Sequence, residues 1–562
     1  MTIKNEIKNI ISGIAGEEVV FSVEEPEAES HGDYATNIAL VLAKKQKKNP
    51  MEIAEEIKAK IQNPVFLKID VAAPGFVNFF ISPDFLREKL KSVLKEGKNF
   101  GKQDIGNSKT IVIDYSSPNV AKPMHVGHLR STFIGQAIYN LYKFLGYKVI
   151  GDNHLGDWGT QFGIMIAAIK KYGYSSAKLK KITVAQMLEI YIKYNDELKE
   201  NPDLQETAKA EFKKLEDGDA ENRKIWKILR DKSLAEFNKI YKILNIKFDL
   251  IKGESDYEKD LKQEIDNALE KKIALTNEDG SVIIPLGEDV PFLIRKSDGA
   301  TVYGTRDLAT IRFRVFKYAP EKIIYVIGNE QSFYLEQLFK AAGLLQYIAQ
   351  EKLFHIKFVL VLDENRKKLS TREGRVVEAK ELIEKIIALS EDTIKEKNPA
   401  LPEEERKEIA QKIGIAALKY NDLSQNRKTD IIFDWKKMLG FTGNSAPYLL
   451  YTYVRLQSIF KKSDFKGKFN CKFLTNDKEI EVLKEIVKFP DIVEYAAQSF
   501  QINYLTDYLF RLANKINNFY EACTVLKAEK DIRLARLALI KSALLVLKNG
   551  LNLLGIETVE KM

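Results

Sequence analysis

Cysteine is nearly absent: the 562 residues hold two, Cys471 and Cys523, with no CxxC spacing and no histidine nearby. That excludes a disulfide-stapled framework and a zinc site built on cysteine, and it fits a reducing compartment. Histidine is scarce as well, at five, and 15 prolines with 30 glycines are too few for a low-complexity or disordered chain. No apolar run approaches the length of a bilayer span, and the opening MTIKNEIKNIISGIAGEEVV lacks a signal-peptide core and carries acids unsuited to a transit peptide. The expectation is a cytoplasmic protein that does not engage a membrane.

What is present is the material of ordinary cores: 45% hydrophobic and 30% charged residues, in a chain too long for one core. Lys and Arg exceed Asp and Glu by 88 to 79, a net charge of +9 that fits a polyanionic partner without requiring one. The expected fold class is multidomain α/β.

Residues 1–105 mix helical periods (AEEIKAKI) with short strands (VNFFIS) and close in a polar, glycine-containing linker, the pattern of a small α/β domain. From 109, KTIVIDYSS reads as a buried strand, VGHLRSTFIGQAIYNLYKFLG as a helix and YKVIGDNH as a second strand, a βαβ unit. Residues from about 171 to 280 are charged and mostly helical and read as an insertion that interrupts the strand series. Strand-like runs return at ATVYGT, KIIYVIG and FHIKFVLVLD, so a Rossmann-type parallel sheet is expected over 106–380. After 381 the pattern is almost wholly helical, and residues 430–562 carry 20 Lys/Arg against 15 Asp/Glu. A basic all-α bundle is expected to fill 381–562.

The stretch SSPNVAKPMHVGHLRST places His125 and His128 where a strand turns into a helix. In a parallel sheet such ends take ligands, because the first N–H groups of the helix face an anion. Imidazole N–H groups can donate to phosphate oxygens, Gly127 leaves room for a flat base, and Lys122 adds positive charge. Zinc would need three or four ligands, and the only local addition is His154 with acids, so no metal site on protein side chains is expected.

These residues carry a resemblance. HVGH resembles the HIGH motif of class I aminoacyl-tRNA synthetases, and DYSSPNVAKPMHVGHLRST followed by LGDWGTQFG is similar to the arginyl-tRNA synthetase family in particular. The likeness runs along nearly the whole chain: HGDYATNIA and APGFVNFF resemble that family's N-terminal additional domain, SDGATVYGTRDLA, IIYVIGNEQ and KKLSTREG its catalytic half, and FTGNSAPYLLYTYVR its helical anticodon-binding domain.

The resemblance implies an arginine–tRNA ligase using ATP with Mg²⁺ and no zinc, with L-arginine and tRNA(Arg) as substrates, monomeric by family habit. It implies ATP contacts at Lys122, His125, Gly127, His128, Lys368 and Ser370, with His125, His128, Lys122 and Lys368 acting in catalysis. The second nucleotide motif, KLSTR, departs from KMSKS: Thr371 stands where a second lysine would be, and Lys122 is the expected replacement. Arginine contacts are implied at Asp114, Asn119, Tyr303, Asp307 and Gln331, with His154 beside them. Physical chemistry asks for the same acids, since a guanidinium's five fixed donors left unpaired in a pocket would be costly. Read locally, Asp307 is also a good N-cap for the helix DLATIRF. For tRNA the implied contacts are Phe76 and Asn78 near the elbow and Tyr448 and Arg455 in the bundle, although helical tyrosines are usually core.

Two rivals stand beside this reading. Another class I synthetase, for cysteine or glutamate, would not want two carboxylates at the amino-acid end. A catalytically idle tRNA-binding paralogue would be marked by lost histidines or pocket acids, and all are present.

Overall fold

The chain is described by a computed structural model that covers residues 2–16, 18–287, 290–359, 361–362, 377–463 and 465–562. It divides into two compact units, one of residues 104–439 with 553–556, the other of residues 1–103 with 440–552 and 557–562. Helices 379–438, expected with the C-terminal bundle, belong to the first unit.

That unit is built on β1 (Thr110–Asp114), α1 (Val126–Phe144), β2 (Lys148–Leu155), β3 (Leu250–Gly253), α2 (Tyr303–Tyr318), β4 (Lys322–Tyr325), α3 (Ser332–Leu344) and β5 (Leu353–His355). The strands form one sheet in the order β5-β4-β1-β2-β3, and every neighbouring pair is parallel. The β-branched run TIVID suits a central strand: Ile111, Val112 and Ile113 are fully buried. Val112, Ile323 and Tyr325 pack with Leu308 and Ile311 of α2 and Leu335 and Leu338 of α3 in one core. α1 approaches β1 closely, because a Cβ at Gly135 would lie 2.3 Å from Tyr115. Behind α1, Arg130 pairs with Asp422 at 3.3 Å, both buried.

From β1 the chain winds outward through β2 to β3, then returns to the other side for β4 and β5. The strand order therefore reverses between β1 and β4, and the crevice beyond their carboxyl ends is where such sheets bind ligands.

Two expectations need correction. The segment 171–280 is mostly helical, but it also contains β3, which pairs with β2 from Asp152↔Leu250 to Leu155↔Gly253. An edge strand of four residues, with Ile251 exposed and only Gly253 buried, leaves no continuous apolar run to read. ATVYGT is not a strand: helix α2 already begins at Tyr303, and only Thr301 makes a bridge, to Arg295. Three short antiparallel strands, Leu275–Thr276, Val282–Ile284 and Phe292–Arg295, precede that helix.

The second unit joins the two ends of the chain. Its antiparallel sheet runs Val23–Glu24, Tyr34–Thr36, Phe76–Ile81, Phe66–Ala72 in spatial order. The helices Ala446–Lys461, Asp477–Ser499 and Asn503–Ala522 follow in the C-terminal part. Tyr34 donates to Asp491 at 3.0 Å and Lys488 to Glu25 at 2.5 Å, so side chains from the two ends of the sequence meet in one folded body. No helix among the described residues is long and apolar enough to cross a membrane.

Candidate active site

The residues at the strand ends are set by register. Asp114 closes β1, opposite Asp152 on β2 and Tyr325 on β4. Two adjacent buried carboxylates repel unless a cation lies between them, and the fully buried Arg314 of α2 supplies it. Its guanidinium reaches Asp114 Oδ2 at 2.6 Å and Asp152 Oδ2 at 2.9 and 2.7 Å. Asp114 Oδ1 accepts from Ser117 at 2.7 Å. Burial still holds the Asp152 carboxyl up at about 6.

Asp307 is not an N-cap: it lies four residues inside α2, on the face turned to the strand ends. Its Oδ2 accepts from the Tyr334 hydroxyl, and its Oδ1 lies 3.9 Å from His154 Nε2. Burial pushes Asp307 up to about 6, with the nearby Asp114 charge adding to the rise and the Tyr334 hydroxyl opposing it. His154 is held down at about 4, mainly by burial. Neither of its ring nitrogens has a hydrogen-bond partner among the described residues. A buried neutral imidazole with both nitrogens unmatched, beside a carboxylate with an open oxygen, is a site built for a polar ligand. Tyr303 and Gln331 are exposed at the rim, and Asn119 is exposed beside Gly156, where a Cβ would strike its amide oxygen at 2.3 Å.

On the other side of the crevice His125 is the N-cap of α1. Its Nδ1 accepts from Gly127 N–H at 3.1 Å, while His128 Nδ1 accepts from His125 N–H at 3.1 Å, a reciprocal capping box. A ring nitrogen that accepts carries no proton, so each neutral imidazole presents Nε2–H as its donor. Burial and then His125 hold His128 at about 3, so it stays neutral through the physiological range.

The geometry modifies the expected anion site. The N–H of Val126 donates to Val377, and that of His128 to the His125 carbonyl. With Gly127 held by the cap, the first N–H groups of α1 are matched within the protein. Gly127 lies close under the His125 ring, where a Cβ would come within 3.0 Å of it.

Lys122 is half-buried, its Nζ 4.8 Å from the centre of the Tyr191 ring, and burial lowers its pKa. Tyr191 lies on the helix Val184–Glu200 of the inserted segment, so that segment reaches the turn that precedes α1. Lys368 and Ser370 lie outside the described residues. The chain beyond them is tied to the histidine turn, with Ala379 N–H donating to Met124 at 2.8 Å and His125 bridged to Glu378. Among the described residues no group of three His, Cys, Asp or Glu could hold a metal ion.

The tRNA candidates lie in the second unit. Phe76 is exposed, whereas Asn78, two residues on along the same face of the strand, is buried. The Tyr448 hydroxyl donates to Asn514 at 2.6 Å, and Arg455 binds Asn517 at 3.1 Å and Tyr451 at 3.2 Å. Trp158 packs edge-on against Trp226 and Phe212 and belongs to the core.

Three residues escaped sequence reading: Asp152, Arg314 and Tyr334. Asp152 stands in the GDNH stretch already singled out for His154, and Arg314 lies two helical turns beyond Asp307. Tyr334 left no signal at all.

Three family models cover most of the chain: the arginyl-tRNA synthetase N-terminal domain over 1–81, the class I (R) tRNA synthetase catalytic domain over 89–435, and the DALR anticodon-binding domain over 449–562. The chain belongs to the arginine–tRNA ligase family. It is 39% identical to the arginine–tRNA ligase of Fusobacterium nucleatum, over 95% of this chain and 94% of that one. With the enzyme of Clostridium botulinum it shares 40% identity over 96% of both. The fold is similar to the arginyl-tRNA synthetase structure of Plasmodium falciparum, with a TM-score of 0.85 and 28% identity over 100% of this chain and 98% of that one. The family identity accords with the parallel sheet and its order reversal between β1 and β4.

Proposed function

We propose that this crevice activates L-arginine with ATP and transfers it to tRNA(Arg). The arginine carboxylate oxygen attacks the α-phosphorus of ATP, the bond to the bridging oxygen breaks, and pyrophosphate leaves arginyl-adenylate behind. A hydroxyl of the terminal tRNA ribose then attacks the activated carbonyl and AMP departs. No protein nucleophile is required, so the protein's work is alignment and charge stabilisation.

The observation that carries the reading is Asp307, a half-buried carboxylate with one oxygen held by Tyr334 and the other open beside an unmatched His154. It offers the substrate guanidinium its acceptor, Asp114 adds negative potential, and Asn119, Tyr303 and Gln331 complete the pocket. His125 and His128 act as neutral donors to the phosphate oxygens, so positive charge must come from Lys122 and Lys368, with Ser370 beside the latter. Mg²⁺ would arrive on the phosphates and neutralise part of their charge. Tyr448 and Arg455, with Phe76, are the proposed tRNA contacts; Asn78 acts through its strand and not by direct contact. We place the enzyme in the cytoplasm as a monomer.

The test is aminoacylation of unfractionated tRNA with each amino acid in turn, with and without ATP and Mg²⁺, on wild type and His128→Ala. Charging with arginine alone, reduced on the order of a hundredfold or more in the variant, is expected. tRNA binding with no charging of any amino acid would leave an idle tRNA-binding protein.

A further inference from the structure

Resting on that reading of the pocket, we propose that Tyr334 is a positioning residue that sets arginine specificity, by fixing the rotation of the Asp307 carboxylate and the tilt of the Tyr303 ring. Tyr334 lies in the first turn of α3, three residues after Gln331. Its hydroxyl donates to Asp307 Oδ2. Its ring is held between Phe292, stacked at 6.0 Å, and Tyr303, edge-on at 4.7 Å. One side chain thus touches two arginine contacts and shares a turn with a third.

The consequence follows from shape. A guanidinium presents parallel N–H groups in a plane, and it pairs well only with a carboxylate whose plane is set to match. An ammonium is a point charge and is indifferent to that rotation. With Oδ2 tied to Tyr334, Asp307 cannot swing its plane, and Oδ1 stays directed to the side where His154 lies. Burial and the Asp307 charge hold the Tyr334 phenol well above its ordinary value, so it remains a donor at every working pH.

Losing that donor also changes the proton affinity of Asp307. The groups facing this carboxylate are His154 on β2, Asp114 on β1, Tyr325 on β4 and Glu254 after β3, with Arg306 and Arg314 on its own helix. All of them remain in Tyr334→Phe, so a shift in that variant belongs to the hydroxyl.

The experiment is steady-state charging of tRNA by full-length wild type and Tyr334→Phe across pH 5–8, with arginine and then lysine as competitor. Expected in Tyr334→Phe are a KM for arginine raised about tenfold with kcat nearly unchanged, an unchanged inhibition constant for lysine, and an acid limb of kcat/KM moved to higher pH. An unaltered KM and acid limb, or a fall in kcat alone, would overturn the proposal. Replacement of Tyr334 by 3-fluorotyrosine keeps the fold and strengthens the donor, and it should move the acid limb the opposite way. The Asp307 titration, followed by NMR on ¹³C-labelled aspartate in ligand-free protein, separates the two claims. A shift there with no arginine charging by wild type would sink the substrate reading alone, and no shift would sink the role of Tyr334.

Discussion

Three carboxyls at this site are pushed up by desolvation, Asp152 and Asp307 to about 6 and Glu254 to about 7, and of these Asp307 is the proposed partner of the substrate. Asp307 titrates near 6 because burial disfavours its charged form, whereas His128 near 3 stays neutral throughout. As pH falls through 6, Asp307 takes up a proton and loses its claim on a cation, so kcat/KM for arginine should fall on the acid side while the KM for ATP stays flat. Pyrophosphate exchange measured from pH 5 to 8 checks both. Asp307→Asn should lower kcat/KM for arginine by about 2–4 kcal/mol, on the order of a hundredfold or more. The same change should raise the unfolding temperature at pH 7.5. A folded pKa above the unfolded one means that the desolvated charge costs stability at pH above 6, and that the gain shrinks as pH falls through 6. Thermal unfolding at pH 7.5 and pH 5 would show it.

Between elements, α2 is joined to the ends of β1 and β2 by Arg314 between Asp114 and Asp152. Removing the cation leaves two adjacent carboxylates buried without a partner, so Arg314→Ala should destabilise the catalytic unit by about 3–5 kcal/mol. The sign with pH is fixed. Asp152, already raised by burial, would lose the cation that opposes that rise, so the penalty is largest at pH 8 and relaxes as pH falls and it protonates. Urea unfolding at pH 8 and pH 5 measures the difference. The joint also explains why Asp114 is not a freely available pocket acid: both its oxygens already accept hydrogen bonds.

Over the whole molecule, the net charge of +9 frames the encounter with tRNA. Binding that displaces counterions weakens as salt rises, so the KM for tRNA should increase at least tenfold between about 0.05 and 0.2 M salt. The KM for arginine, set by short-range pairing at Asp307, should change far less. Filter binding and pyrophosphate exchange over the same salt series separate the two. The second unit is shared by both ends of the chain through pairs such as Lys488 with Glu25. Deleting the first hundred residues should therefore speed amide exchange in the helix Asp477–Ser499, which loses those partners.

Local pattern was enough for the family, the parallel-sheet architecture and the helix after HVGH. Those properties rest on short-range order: β-branched runs, helical periodicity and motifs contiguous in the chain. Three things were decided only in three dimensions. The edge strand inside the inserted segment is too short and too exposed to leave a hydrophobic run. The start of α2 at Tyr303 moves Asp307 from the cap into the helix: the Val302 N–H donates to Thr305 there, and Leu308 and Ile311 pack in one core with Phe292. The assignment of Arg314, Asp152 and Tyr334 to the site required strands and helices distant in sequence to meet. Which carboxylate is already paired and which remains open is a matter of distance, and the linear order of residues does not contain it.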